Sequence, residues 1–286
     1  QDPANRKPDD ITANRRGVHD YRAFAAAALF RLTGDTGYHQ QFLDDNIVRA
    51  PSSTLRQDGR NGEWSSWIYA LTEREGVDAA LQKTIAQASI AWARTEELAP
   101  AQERGSRIAF PRSAENVVGI GSTTPLCFSL MVAAELTEDP TERAIFRDYL
   151  YTTADYFLGG NPLNTVWVTT LGDRPFTAVL NHDLWYDFDP VEIPGIVPYG
   201  FTSPEFDRQE SVWASGYAKR WVYPNDDKGT ATNWPAHELH FENRYPPMNS
   251  EYTVWQNIGP AVSIYGYLCG ASAPQAPPTG GEVHQP

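Results

Sequence analysis

Read for apolar spacing, the chain alternates between stretches with a helical repeat and stretches with none. From His19 to Leu32, Tyr21, Phe24, Ala25, Ala28 and Leu32 fall on one helical face. Thr33-Gly34-Asp35 supplies the stop, because glycine takes the left-handed conformation that ends a helix without steric cost. A shorter helix is predicted over 37–46, followed by a polar loop through Asp58-Gly59-Arg60-Asn61-Gly62. Glu63–Glu73 carries Trp64, Trp67 and Leu71 at helical spacing. Val77, Leu81, Ile85, Ala88 and Trp92 mark an amphipathic helix over 77–95, and 98–114 reads as loop.

Pro125–Leu136 is apolar on nearly every side and is therefore predicted to be a buried inner helix. It ends in Leu136-Thr137-Glu138-Asp139, an echo of Leu32-Thr33-Gly34-Asp35 that suggests helical hairpins used more than once. Asp139-Pro140-Thr141-Glu142 then opens another helix, with a capping Asp, a first-turn Pro and an acid three residues on. Its face is read as Ile145, Tyr149, Thr153 and Tyr156, and its stop as Gly159-Gly160. Asn164–Thr170, rich in β-branched residues, is the one strand candidate. Residues 172–250 lose helical periodicity and are dense in Pro, Gly, Asp and aromatics; a loop region of that length in a compact domain is usually functional. A last apolar helix is read from Ile258, Val262, Tyr265 and Leu268, starting at Gly259–Pro260 because proline suits a first turn.

These elements predict an all-α protein with inner apolar helices, outer amphipathic ones and a decorated loop face, the layout of an α/α toroid. Residues 1–16 read as a polar arm, 17–272 as the helical domain and 273–286, rich in Pro and Gly, as a linker.

Composition sharpens this picture at a few points. With 9 Trp, 14 Tyr and 12 Phe, the chain has aromatic surface to spare for flat ligands such as sugar rings. A net charge of −13 counts against nucleic acid or an anionic membrane as partner. No apolar run reaches membrane-span length. The opening QDPANRKPDD lacks Met and reads as a mature or internal start, and the whole as a secreted, extracellular protein. Cys127 and Cys269, the only cysteines, sit in apolar helices and are expected to be buried thiols, with a bridge as the alternative. No cofactor is implied.

Candidate chemistry centres on Glu251, between an aromatic-rich loop region and the last helix. Beside Tyr252 and Trp255 its carboxyl is expected to be partly desolvated, which raises its pKa and suits it to donate a proton. The plain alternative is a surface glutamate at a helix start. Trp185, Trp213, Trp221 and Trp234 are candidates to stack on sugar rings, with Tyr252 beside the acid. His237 and His240 lie in WPAHELHFENR, where their i, i+3 spacing misses the i, i+4 pattern of zinc proteases. They are read as cleft-lining hydrogen-bond donors, or as residues tying the loop down, and no metal site is expected.

Several segments together resemble glycoside hydrolase family 9, the inverting cellulase family built on an (α/α)6 barrel. Asp155-Tyr156-Phe157-Leu158-Gly159-Gly160-Asn161-Pro162 resembles that family's D-Y-x-L-G-x-N-P segment, and Pro194-Gly195-Ile196-Val197 its P-G-x-x segment. Asn249-Ser250-Glu251, with Asn257 six residues on, resembles the terminal motif that holds the catalytic acid. Gly121-Ser122 resembles W-G-S-N, although Ile120 stands where Trp is usual. The resemblance runs from about Tyr21 to Leu268 and implies hydrolysis of β-glycosidic bonds in cellulose or a related glucan, with Glu251 as general acid. His182, in Asn181-His182-Asp183, is the one residue that carries over from the family's His-His-Arg sugar-binding cluster.

The family's D-A-G-D segment, which supplies the base, does not occur in the chain, and Asp58 sits in a D-G turn. Inversion needs an acid and a base about 6.5–9.5 Å apart, so the second is expected from a missing N-terminal segment or a second copy. The helices fall short of a closed (α/α)6 ring, and two apolar edges are expected where it is open. Two other readings stand beside this one: a non-catalytic carbohydrate-binding relative, and a polysaccharide lyase on the same toroid. A lyase acts on polyanions and needs a basic cleft, which the charge disfavours.

Overall fold

The computed structural model describes residues 15–57, 60–111, 125–181, 193–200, 240 and 250–272. Its helices are α1 (Arg15–Thr33), α2 (Thr36–Asp45), α3 (Glu63–Ala70), α4 (Ala79–Ala93), α5 (Ala99–Glu103), α6 (Phe128–Leu136), α7 (Pro140–Phe157), α8 (Val254–Gln256) and α9 (Ser263–Ser272). A two-stranded antiparallel ribbon, β1 (Arg56–Gln57) and β2 (Arg60–Asn61), flanks the Asp58-Gly59 turn signal. The all-α reading holds. α1 packs on α2 and α3, α3 on α4, α4 on α6, and α6 on α7 and α9, so the chain winds as successive helical hairpins.

The hairpin connection is built twice from the same chemistry. Asp35 Oδ1 accepts the Gly37 N–H (2.7 Å) to cap α2, and Asp139 Oδ1 accepts the Thr141 N–H (2.8 Å) to cap α7. Thr33 and Thr137 accept the amides of those same aspartates through Oγ1. An arginine closes each helix end: Arg74 donates to the carbonyls of Arg31 and Leu32, and Arg143 to those of Ala134 and Thr137. The echo Leu-Thr-x-Asp is therefore a repeated structural unit. At the far end of α7, Gly160 N–H returns to the Asp155 carbonyl (2.8 Å), and Gly159 takes φ +119, which explains the glycine stop.

Proline is accommodated inside the helices by widened turns. Residues Arg94–Leu98 and Asn257–Val262 are wound with a π-type repeat. The first leads into Pro100, so α4 continues helically to Glu103 rather than becoming loop at residue 98. The second contains Pro260, so the C-terminal helix starts at Val254 and not at Gly259–Pro260. A wider turn skips a hydrogen bond at the place where proline has no N–H to give.

Three clusters make the core. One joins α6, α7 and α9 through Leu130, Phe146, Leu150, Ile264 and Leu268. A second joins α1 to α4 through Phe30, Phe42, Trp67, Tyr69 and Ile85. The third, Phe110, Phe157, Trp167, Phe176 and Val179, supports the loop face. Ile85 and Ala88 are buried as the α4 pattern requires, whereas Ile145 on α7 and Trp64 on α3 are exposed.

Other expectations fail for identifiable reasons. α1 buries Ala23, Ala26, Ala27 and Phe30, leaving Tyr21 at 78% and Leu32 at 71% exposure, with Val18, Phe24 and Leu29 also exposed. Two faces of α1 are apolar, and the alanine face is the one that lets α2 and α3 approach closely. On the C-terminal helix, Ala261, Ile264 and Leu268 turn inward while Val254, Ile258 and Val262 are exposed, because the widened turn shifts the face. Asn164–Thr170 forms no regular strand; only Val166 makes bridges, to Leu158 and Pro175, since Asn164 and Thr170 both take left-handed φ. Cys127 is a buried free thiol as expected, but Cys269 is exposed. Among the described residues no helix is long and apolar enough to cross a membrane.

Candidate active site

Glu251 sits on the short irregular segment that leads into α8, and two other segments hold its backbone. Leu180 N–H donates to the Ser250 carbonyl (2.9 Å), and Tyr199 N–H donates to the Glu251 carbonyl (2.7 Å). Asn181 Nδ2 donates to the Tyr252 hydroxyl at 3.0 Å. Residues 179–181 and 197–200 thus fix successive peptides at the acid. Ser250 is fully buried and Glu251 is exposed. The partial burial expected for Glu251 is therefore not found; the buried member of the pair is the serine.

The 193–200 segment is anchored at both ends. Thr169 N–H donates to the Ile196 carbonyl (2.9 Å), its hydroxyl donates to the Ile193 carbonyl (2.5 Å) and its Oγ1 accepts the Ile196 N–H (2.9 Å). Gly195 N–H returns to the Thr169 carbonyl at 3.1 Å, in a turn where Gly195 takes φ +82. Further along, Asn257 Oδ1 accepts the Val197 N–H (2.7 Å), and its Nδ2 donates to the Thr253 carbonyl (2.9 Å) and to the Val197 carbonyl (3.3 Å).

Tyr199 is buried, and that burial, reinforced by the charge of Glu251, raises its phenol above the ordinary tyrosine range. Half-buried His240 donates through Nδ1 to the Gly200 carbonyl (3.3 Å) and packs edge-on to Trp167 (4.8 Å between ring centres) and against Phe176 (5.5 Å). Tyr252 packs on that same aromatic cluster.

Of the residues singled out from sequence, Glu251, Tyr252 and His240 are thus brought to one locality, two of them by way of segment 197–200. His182, Trp185, Trp213, Trp221, Trp234 and His237 lie outside the described residues. Sequence reading missed Tyr199 and Thr169 and gave Asn181 no role; Tyr199 follows a Pro-Gly turn with no motif to mark it, whereas Asn257 carried a signal in its spacing from Glu251. Among the described residues no group of three or more His, Cys, Asp or Glu is placed to hold a metal ion. What the arrangement offers chemically is a solvent-facing carboxyl on an immobilised peptide, flanked by tyrosines and able to exchange a proton with a bound substrate.

Residues 4–198 match the family model described as Glycosyl hydrolase family 9. Solved structures with the same fold include a metagenome-derived glycoside hydrolase family 9 endoglucanase, with 18% identity and TM-score 0.62, covering 89% of this chain and 41% of that one. A thermostable endoglucanase from Alicyclobacillus acidocaldarius matches with 18% identity and TM-score 0.65, over 90% of this chain and 44% of its own. AaCel9A in complex with cellobiose-like isofagomine gives the same values, 18%, 0.65, 90% and 44%. The chain therefore spans less than half the length of the structures it resembles, and its hairpins follow the (α/α)6 barrel architecture. No curated protein matches it.

Proposed function

The chain belongs to glycosyl hydrolase family 9, and from that premise we propose that it is part of a secreted enzyme that cleaves β-glycosidic bonds in cellulose or a related β-glucan with inversion. The observation that carries the reading is the exposed Glu251 carboxyl on a backbone held by Leu180 and Tyr199. In the proposed step the Glu251 carboxylic acid gives its proton to the glycosidic oxygen as the bond to the anomeric carbon breaks. A water attacks that carbon from the opposite face, and a second carboxylate takes its proton. The endoglucanases of the same fold and the cellobiose-like inhibitor bound to one of them support a glucan as substrate.

We place the base outside these 286 residues, on a preceding segment or a second polypeptide. The exposed apolar stripes on α1 (Val18, Tyr21, Leu32) and at the C-terminal helix (Val254, Ile258, Val262) support this, as the edges such helices would cover. In this proposal residues 17–272 are one part of the barrel, 1–16 its arm and 273–286 a linker. Trp185, Trp213, Trp221 and Trp234 line the cleft, with His182, His237 and His240 on sugar hydroxyls. A second reading is a carbohydrate-binding relative without turnover.

Reducing-sugar release by the intact protein on a glycan panel separates the two. Glu251→Gln is expected to keep glycan binding and to lose most turnover on natural glycan, with a smaller loss on activated aryl glycosides, whose leaving groups need less protonation. Undiminished turnover of natural glycan by the variant refutes the acid assignment. Glycan binding without turnover in the wild type favours the binding protein.

A further inference from the structure

The acid motif contains a second polar residue whose position is as constrained as that of Glu251. Asn257 is half-buried and directs its whole amide group at backbone. Its Oδ1 accepts the Val197 N–H at 2.7 Å, while its Nδ2 donates to the carbonyls of Thr253 (2.9 Å) and Val197 (3.3 Å). Its own N–H also reaches the Thr253 carbonyl, at 3.2 Å. One side chain thus ties the turn that follows Glu251 to the segment that runs beside it. Val197 gives its N–H to Asn257, and two residues on Tyr199 gives its own to the Glu251 carbonyl at 2.7 Å.

We propose that Asn257 is a positioning residue for Glu251: it clamps segment 197–200 in register, and the Tyr199 amide in that segment then fixes the Glu251 peptide. The proposal rests on the reading of Glu251 as general acid. Among side chains of this length only asparagine can both accept the N–H and donate to the C=O of one residue. Aspartate keeps the acceptor alone, alanine keeps neither, and glutamine has the chemistry on a stem one carbon too long. The location also fits. Asn257 opens the widened turn that contains Pro260, so the clamp sits at the junction between the fixed C-terminal helix and the acid-bearing segment. The raised Tyr199 phenol, which responds to the charge of Glu251, places that residue within electrostatic reach of the carboxylate it helps to hold.

Two measurements test the clamp. In hydrogen exchange on the 286-residue chain, Asn257→Ala is expected to speed exchange of the Val197 and Tyr199 amides, with the α6 and α7 amides unchanged. In the intact enzyme the same variant is expected to lower kcat on natural glycan about tenfold or more with KM little altered, since misplacing a reacting group costs rate before binding. On an activated aryl glycoside the loss is expected to stay under about threefold. Wild-type exchange at Val197 and Tyr199, or equal losses on both substrates, overturns the proposal. Should Asn257→Ala not fold, Asn257→Gln, whose amide stands one carbon too far out, is read by the same two criteria. Glu251→Gln run alongside keeps the two claims apart: full glycan turnover in that variant removes the acid assignment, whereas its loss with an unaffected Asn257→Ala removes only the clamp.

Discussion

Glu97 lies wholly inside the protein and accepts the backbone N–H of Leu130 at 2.9 Å, fixing the first turn of the inner helix α6. Its other oxygen accepts the Ser129 N–H at 3.2 Å. These donors are the unpaired amides that every helix start leaves, so a buried carboxyl here serves as a cap delivered from the widened turn at Arg94–Leu98. Burial nevertheless outweighs the hydrogen bonds and pushes the Glu97 pKa from 4.5 up to about 7. The neighbouring Cys127 thiol is pushed up as well, by burial first and then by the charge of Glu97.

A stability–pH relation follows from Glu97. Its folded-state pKa stands above the unfolded value, so its carboxyl favours folding most below about pH 4.5, and that contribution declines as pH rises to about 7. The upper bound is roughly 3 kcal/mol across that window. Glu97→Gln cannot ionise. The stability of the wild type relative to this variant is therefore expected to shrink between pH 5 and pH 8, as read from thermal melts. A constant difference over that range would show that Glu97 does not titrate there.

Asp45 has the opposite sign. Burial raises its carboxyl, but hydrogen bonds from Arg22 and His19, the charge of Arg22 and a hydrogen bond from Gln41 together bring it down to about 2. Arg22 reaches it through Nε and Nη2, both at 2.6 Å. A depressed carboxylate stabilises above the unfolded pKa of 3.8 and loses that contribution as pH falls toward 2. Because Arg22 is half-exposed, solvent screening cuts the effect well below what the shift alone would give. Asp45→Asn is expected to lower the melting temperature at pH 7 and to approach the wild type near pH 2.5. Parallel curves at both pH values would count against the ion pair.

These groups show where sequence reading reaches and where it stops. The Asp139 cap was legible because its chemistry is local, a bond to an amide two residues away; the equivalent cap at Asp35 was read only as part of a helix stop. The inward face of α1 was not, since alanines line one side and larger apolar residues the other, and periodicity alone does not rank two apolar faces. The terminal motif drew attention to Glu251, but not to the bonds that tie Ser250 and Glu251 to residues 180 and 199. Those ties, like the bond between Asn181 and Tyr252 across 71 positions, join residues whose separation leaves no pattern in one sequence.

Thr170 is a β-branched residue held at φ +61 on the exposed turn that follows the Thr169 anchor. An L-residue in that region costs roughly 1–2 kcal/mol, whereas glycine there adds roughly 0.5–1 kcal/mol in lost chain entropy. Thr170→Gly is therefore expected to stabilise by about 0.5–1 kcal/mol without altering the hydrogen bonds of Thr169 to the 193–196 segment. Denaturant melts at fixed slope check this, and a lower midpoint would show that the Thr170 side chain makes a stabilising contact.

The two exposed apolar stripes give the last test. Tyr21 and Leu32 on α1 are 78% and 71% exposed, and Val254, Ile258 and Val262 at the C-terminal helix are 73%, 61% and 60% exposed. Apolar surface of this kind, continuous along a helix, draws a partner, and in a sample of the 286-residue chain alone the available partner is another copy. That sample is expected to self-associate in sedimentation, more strongly as salt rises, because burial of these faces is apolar rather than ionic. Tyr21→Glu with Leu32→Glu, or Val262→Glu, should shift it toward monomer while leaving the helical circular dichroism unchanged, since none of these side chains supports the core. If instead the stripes are covered in the intact enzyme by the rest of the barrel, the same substitutions bury an unpaired charge there and are expected to cost several kcal/mol. The two samples should therefore respond in opposite directions: better behaviour for the 286-residue chain, loss of stability for the intact enzyme. A wild-type chain that is monomeric at high concentration, together with an intact enzyme indifferent to Tyr21→Glu, would show that nothing packs on these edges and that the base must be sought elsewhere.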